Sequence, residues 1–264
     1  MNSKYTQEAL QQTFPNVGEA LVLYPPVDTD KFTPIEPHEF ENGKIILLSI
    51  NRFERKKNVG LAIKAMPQLK SRLSCELYER IQLIVAGGYD IRLAENRHYL
   101  TELEIMAEQN ELEYKTLPVG SGLEDEDSQN DLLRNDQGMA KVLFMPSISD
   151  ATKLQLLSMA YAVIYTSSNE HFGIVPLEAM AAGVPVIAMN SGGPKETVVD
   201  SRTGFLCEED PEAVARSVQT LVEGKFYQRE DLAREARAHV VDNFNFERFG
   251  NLLEYILEQK VNSF

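Results

Sequence analysis

The chain of 264 residues has no tryptophan and only two cysteines, Cys75 and Cys207. Two thiols without a repeated spacing form neither a disulfide framework nor a metal motif, and they fit a reducing compartment or a cytosol-facing surface. Positive charge is scarce: 26 Lys and Arg against 40 Asp and Glu leave a formal net charge of −14. That balance argues against a nucleic-acid binder, whose affinity comes mainly from cations on phosphate. No apolar run reaches the roughly 20 residues that span a bilayer. The opening Met1-Asn2-Ser3-Lys4-Tyr5-Thr6 lacks the apolar stretch of a signal peptide. The expectation is a chain that is not integral to a membrane. Absent as well are a G-x-G-x-x-G after the first apolar strand and a G-x-x-x-x-G-K-[ST] anywhere, which disfavours a standard dinucleotide or P-loop site.

What is present is ordinary globular material, 43% hydrophobic and 25% charged. A prior of roughly 100–200 residues per domain gives one large domain or one domain with appendages. Residues 1–36 read as a linker and the end of another unit: a polar helix over Lys4–Thr13, then the proline-fixed Leu23-Tyr24-Pro25-Pro26-Val27-Asp28. Apolar strands then alternate with helical periodicity. Strands are predicted at Lys44–Ile50, Ile81–Ala86, Val142–Met145, Ala162–Thr166 and Val184–Ala188. Helices are predicted at Asn58–Leu69, Tyr99–Gln109, Lys153–Met159 and Pro176–Ala182, followed by a tail of helices near Pro211–Glu223, Arg229–Asn243 and Phe246–Gln259. Strands apolar on both faces, linked through helices, predict an α/β fold with a doubly wound parallel sheet. The division expected is a domain over 37–225, interrupted by a polar, acidic insertion over 120–138, and C-terminal helices over 226–264. Asp125-x-Asp127 in that insertion reads as a solvated loop rather than a metal site.

The densest constellation runs from Ser168 to Ile187 and opens at the carboxyl end of the strand Ala162–Thr166, where open α/β sheets bind ligands. Gly173 permits a sharp turn and Pro176 suits a first helical turn, so the amides of Phe172, Gly173 and Ile174 can face an anion at a helix amino terminus. A phosphate is the expected guest. Glu170 and Glu178 frame that turn, eight positions apart. Glu178 is either an acceptor for two vicinal hydroxyls, as on a ribose, or a glutamate favoured by the helix dipole. A second constellation, Ser49-Ile50-Asn51-Arg52-Phe53-Glu54-Arg55-Lys56-Lys57-Asn58, places four cations between the first strand and its helix. Arg52 and Lys57 are the candidates to hold a diphosphate; a solvated basic turn is the alternative. Gly87-Gly88 and Ser191-Gly192-Gly193-Pro194-Lys195-Glu196 are glycine loops that either approach a ligand or turn the chain. His171 reads as a loop-shaping residue.

The spacing Glu-x7-Glu from Glu170 to Glu178, the run Ala179–Ile187 and the loop Gly192-Gly193-Pro194-x-Glu196 resemble the retaining family 4 glycosyltransferases of GT-B fold. Ser49–Asn58, Ala86–Asp90, Asn169–Glu178 and Asn190–Pro194 are more specifically similar to the eukaryotic α-1,3/1,6-mannosyltransferases of the dolichol-linked oligosaccharide pathway. The resemblance implies a Rossmann-like sheet forming the C-terminal, donor-binding half of a GT-B fold, with GDP-mannose as donor and a lipid-linked oligosaccharide as acceptor. It implies work at the cytosolic face of the endoplasmic reticulum, association with other enzymes of that pathway, and no bound metal or cofactor. It assigns the donor diphosphate to Arg52 and Lys57, the ribose to Glu178, and the transferred sugar to Glu170 as the catalytic residue. Phe172, Gly173 and Ile174 would hold sugar and phosphate through their amides, and the loop Ser147–Lys153 would read the nucleobase. A GT-B enzyme has two such domains, so this chain is expected to bind donor without transferring mannose by itself. The apolar positions Phe246, Phe249, Leu252, Leu253, Ile256 and Leu257 of the last helix are expected to face a missing first domain, their own domain, or a membrane. Two rival expectations are a non-catalytic sugar-nucleotide-binding or scaffolding module, and a UDP- or ADP-glucose-dependent member of the same fold.

Overall fold

Seven parallel strands form one sheet in a computed structural model that describes residues 1–18, 20–34, 43–123, 140–224 and 229–261. The strands are β1 (Ile45–Ile50), β2 (Ile81–Gly87), β3 (Tyr114–Thr116), β4 (Val142–Pro146), β5 (Ala162–Tyr165), β6 (Val186–Met189) and β7 (Gly204–Cys207). Their order in the sheet is β3-β4-β2-β1-β5-β6-β7. Helices are α1 (Lys4–Thr13), α2 (Gly60–Arg72), α3 (Cys75–Glu79), α4 (Ala94–Gln109), α5 (Asp150–Met159), α6 (Ile174–Ala181), α7 (Pro194–Thr197), α8 (Pro211–Glu223), α9 (Arg229–Asn243) and α10 (Phe246–Val261). This is the Rossmann-like, doubly wound sheet with a helical C-terminal segment that the sequence predicts.

Alternation along each strand sends side chains to opposite faces. Ile45 and Leu47 of β1, Leu83 and Val85 of β2 and Ile164 of β5 pack under α2, α4 and α8, through Ile63, Met66, Leu103 and Val218. Ile46, Leu48, Ile84, Val163 and Tyr165 pack on the other face under α5, α6 and α9, through Leu157, Leu177, Met180 and Val240. Both faces of β1 and β2 are therefore buried, which is why the sequence shows them as continuous apolar runs.

The differences from expectation have local causes. Helix α4 starts at Ala94, five residues early, because Ala94-Glu95-Asn96-Arg97-His98 carries no apolar period to read. Helix α6 starts at Ile174 rather than Pro176, since proline lacks only an N–H that the first turn leaves unpaired anyway. The short elements α3, β3, α7 and β7 were beyond the periodicity, and β3 and β7 are the two sheet edges. Residues 1–34, where described, pack on this same body: Val27 N–H donates to the Phe244 carbonyl at 2.7 Å, and Arg237 donates to the Phe32 carbonyl at 2.8 Å. Residues 124–139 lie outside the described residues, with Asp125 and Asp127 among them; Leu123, just before, is buried. On α10, Phe246, Leu252 and Leu257 are exposed while Phe249, Leu253 and Ile256 are half-buried.

Candidate functional site

Strand β1 pairs with β2 on one side and β5 on the other, so the strand order reverses between β1 and β5 and their following loops open on one crevice. After β1 the chain makes a single 3-10 turn, Arg55–Lys57, closed by Asn58 at φ 48°. The segment after β5 grips it. Thr166 Oγ1 donates to the Lys57 carbonyl at 2.8 Å, and Ser167 Oγ lies 3.4 Å from the Lys56 carbonyl. Both hydroxyls are buried, so the two loops are joined in the interior rather than through solvent.

That junction brings two predicted residues together. Lys57 Nζ pairs with the Glu170 carboxylate, and Ser167 Oγ donates to the same oxygen at 2.7 Å. Burial by itself pushes the Glu170 carboxyl up, but the Lys57 and Ser167 hydrogen bonds, with the charges of Lys57 and Lys56, outweigh it and hold the group below the ordinary glutamate range. Glu170 is thus an anion at neutral pH facing a nearly buried cation. An incoming diphosphate would meet a cation whose present partner is a carboxylate.

The turn after Glu170 is shaped for close approach. Asn169 sits at φ 54° and Gly173 at φ 81°, and Gly173 caps α6. The N–H groups of the first turn of α6 have no intrahelical acceptor, and the positive end of the helix dipole meets the crevice there. Phe172 is buried, with its ring stacked on Tyr24 at 5.8 Å between centroids, while Ile174 is exposed. The loop after β6 braces this turn from behind: Gly193 N–H donates to the Glu170 carbonyl at 2.8 Å, and Asn169 N–H to Ser191 Oγ at 3.0 Å. A Cβ on Gly193 would lie 2.2 Å from the Phe172 carbonyl oxygen. The second glycine loop is therefore a close backbone contact with the Glu170 turn, not only a change of direction.

Glu178 lies in the second turn of α6, beyond the reach of the helix-dipole reading, and pairs with Lys153 Nζ of α5 at 3.0 Å. Both side chains are largely buried, and the Lys153 ammonium also sits 5.2 Å from the centre of the Phe32 ring. The loop leading to α5 turns at Ser147, φ 65°, and Ser149 caps the helix by accepting from Thr152 N–H at 3.0 Å. Arg52 is not drawn into the Lys57–Glu170 pair. It is exposed and bonded to Glu54 at 2.9 Å, with its stem beside Gly88.

Several residues that build the site escaped the sequence reading. Buried Asn96 of α4 donates from Nδ2 to the Phe53 carbonyl at 3.0 Å and accepts from Asp90 N–H at 2.8 Å, tying the loop after β1 to the loop after β2. Thr166 and Ser167 carried a readable signal, two hydroxyls at the carboxyl end of a buried strand; Asn96 carried none. His171 packs edge-on to Tyr5 at 6.4 Å. Among the described residues no three His, Cys, Asp or Glu side chains gather as metal ligands would, and no helix is long and apolar enough to cross a membrane.

Comparison with known proteins bears on the family and the fold. The profile of the family described as "Glycosyl transferases group 1" matches residues 30–239. The chain is 38% identical over 257 residues to the alpha-1,3/1,6-mannosyltransferase ALG2 of Homo sapiens, covering 94% of this chain and 55% of that protein. It is likewise 38% identical over 267 residues to the ALG2 of Rhizomucor pusillus, covering 97% of this chain and 56% of that protein. The chain thus spans about half the length of these curated relatives. Among solved structures, sucrose-phosphate synthase of Thermosynechococcus elongatus superposes with TM-score 0.74 at 21% identity, over 100% of this chain and 58% of that one. The HepE protein of Anabaena, solved with UDP-glucose, superposes with TM-score 0.74 at 22% identity, over 98% of this chain and 62% of that one. The structural likeness speaks for the fold and the sequence match for the lineage: the chain belongs to the group 1 glycosyl transferases.

Proposed function

We propose that this chain is the donor-binding part of a retaining mannosyltransferase that takes mannose from GDP-mannose and adds it, in α-1,3 and α-1,6 linkage, to a lipid-linked oligosaccharide. The observation that carries this reading is the meeting of Lys57, Glu170 and the amino terminus of α6 over the β1/β5 crevice. The likeness to alpha-1,3/1,6-mannosyltransferases over nearly the whole chain supports the choice of sugar and of linkages.

In this reading Lys57 and the first-turn amides of α6, with Gly173 letting the backbone approach, hold the diphosphate, and Arg52 swings from Glu54 to join them. These groups stabilise the negative charge that builds on the departing GDP, so the chemistry calls for no bound metal or cofactor. Glu178, oriented by Lys153, accepts the ribose hydroxyls. Glu170, released from Lys57 when the diphosphate binds, contacts the transferred sugar together with the Phe172 and Ile174 backbone. The loop Ser147–Lys153 faces the nucleobase. The work is placed at the cytosolic face of the endoplasmic reticulum, beside other enzymes that act on the same lipid carrier.

Calorimetric titration of GDP, UDP and ADP against the chain tests the donor assignment. GDP is expected to bind, and Lys57→Ala and Glu178→Ala to weaken it; binding of UDP or ADP in preference to GDP would overturn the assignment. Transfer of labelled mannose to a lipid-linked acceptor, measured with this chain alone and with the upstream half of an ALG2 protein added, tests the reaction. Activity is expected only in the second case.

A further inference from the structure

Glu196 stands in the loop after β6, at the third position of the short helix α7, with no role in the donor site as described so far. Its carboxylate makes three long-range contacts. One oxygen accepts from Lys4 N–H at 2.8 Å and from the Tyr24 hydroxyl at 2.9 Å; the other accepts from Tyr5 N–H at 2.8 Å. Lys4 and Tyr5 are the first two residues of α1, so this carboxylate satisfies two of the helix's unpaired donors, and Ser3 Oγ takes the Thr6 N–H at 3.0 Å. A side chain about 190 positions away in sequence thus caps α1.

The same residue reaches back to the donor turn by two routes. Through the backbone, Glu196 N–H donates to the Gly193 carbonyl at 2.8 Å, and Gly193 N–H donates to the Glu170 carbonyl at 2.8 Å. Through the side chain, the Tyr24 hydroxyl bonds Glu196 while the Tyr24 ring lies on Phe172, nearly parallel at 23°. Burial and then the Glu196 hydrogen bond push the Tyr24 hydroxyl up to about 12, so it stays protonated and keeps donating. Glu196, Tyr24, Phe172, Glu170 and Gly193 form a closed ring of contacts that encloses the turn on which the α6 amides and Glu170 are mounted. On its outer side lies a polar hollow of about 660 Å³ bordered by Lys4, Tyr5, Asn169, Gly192 and Lys195.

We propose that Glu196 is a positioning residue for the donor site: it locks α1 and Tyr24 against the Glu170–Ile174 turn, so that this turn is preformed for the sugar end of the donor only while α1 is seated. The inference rests on the donor-site reading above. Lys57, on the 3-10 turn after β1, and Glu178, in the second turn of α6, are not members of the ring. Most of the grip on the nucleoside diphosphate therefore survives loss of the lock, the share of the α6 amides being the part exposed to it, whereas the grip on the sugar through Glu170 and the turn depends on it.

Titration of GDP and of GDP-mannose against the wild type, Glu196→Gln and Tyr24→Phe separates these contributions. Tyr24→Phe keeps the stacked ring and removes only the hydroxyl, so it remains foldable if Glu196→Gln does not. The expected result is GDP affinity within about twofold of wild type in both variants, with GDP-mannose affinity lowered about fivefold to tenfold, the size of a usual coupling between sites. Amide exchange of α1 is expected to quicken in both variants. Loss of both ligands in parallel, or of neither, overturns the positioning role. Failure of the wild type to bind either ligand overturns the donor-site reading, and the lock with it, and is distinguished by appearing before any substitution.

Discussion

The two rims of the sheet, an amino edge where the strands begin and a carboxyl edge where they end, use their cations in opposite ways. At the amino edge, below β5 and β6, a largely apolar groove of about 570 Å³ runs past Leu157, Gly183, Val184 and Ala233. Arg229 donates there to the carbonyls of Ala160 and Tyr161, at 2.9 Å each, and Arg237 to those of Phe32, Ala181 and Thr29. These guanidinium groups are held by the backbone, and no ligand can replace a carbonyl without unfolding a turn. At the carboxyl edge, Lys57 faces Glu170 and Lys153 faces Glu178. A carboxylate side chain can rotate away and give its place to a phosphate or to a ribose hydroxyl. The difference teaches that a buried cation is open to exchange for a ligand only when its present partner is movable.

Four substitutions or conditions break or sharpen that contrast. The largest expected effect is on the movable side: Lys57→Ala should lower nucleoside diphosphate affinity about 100-fold, since it removes a partly desolvated cation and leaves Glu170 uncompensated. Titration calorimetry reads this, and an effect below threefold would remove Lys57 from the site. Next, Arg237→Ala should cost about 2 kcal/mol of stability by leaving carbonyls without donors, with GDP affinity per folded molecule unchanged. Chemical denaturation checks the first half and titration the second; a nucleotide-affinity defect would erase the distinction between the edges. Third, Lys153→Met should weaken GDP about fivefold and 2′-deoxy-GDP less, if Lys153 orients Glu178 toward the ribose, as the contributions of an ion-paired partner are transmitted through it. Equal losses for both nucleotides would assign Lys153 a packing role only.

The smallest effect is with pH. Glu170 titrates below its ordinary value in the folded chain, so it stabilises the fold fully above the unfolded glutamate value. That contribution is lost as pH falls from there through the lower folded value. Melting temperature measured from about pH 6 to about pH 3 should therefore fall less steeply in Glu170→Gln than in the wild type. Identical slopes would mean that the Lys57–Glu170 pair is too solvated to matter.

The sheet was legible because β1, β2, β4, β5 and β6 are buried on both faces, and burial on both faces leaves an unbroken apolar run that any reader of the chain can find. Short edge strands such as β3 and β7 bury less and so leave less pattern. At the site, Arg52, Lys57, Glu170 and Glu178 were named from residue type, from their place at the carboxyl ends of strands and from the family resemblance. Which of them touch was not legible. The pairing of Lys57 with Glu170 spans more than 100 positions and follows from β1 lying beside β5. Asn96 gave no signal, because a buried asparagine on a helix looks like any polar residue until its two carbonyl and amide partners are in place.

By itself, then, the sequence determined that apolar segments of strand and helix alternate, that the sheet is parallel, and that cations and carboxylates gather at the strand ends, since these depend on local periodicity and residue chemistry. Only the tertiary structure decided that Lys57 is held by Glu170 while Arg52 stays with Glu54, and that Glu178 answers to Lys153. It alone placed Glu196 on the amino terminus of α1. The reason is physical: an ion pair or a cap is fixed by distances of a few ångströms between groups far apart along the chain, and those distances exist only once the strand order is set.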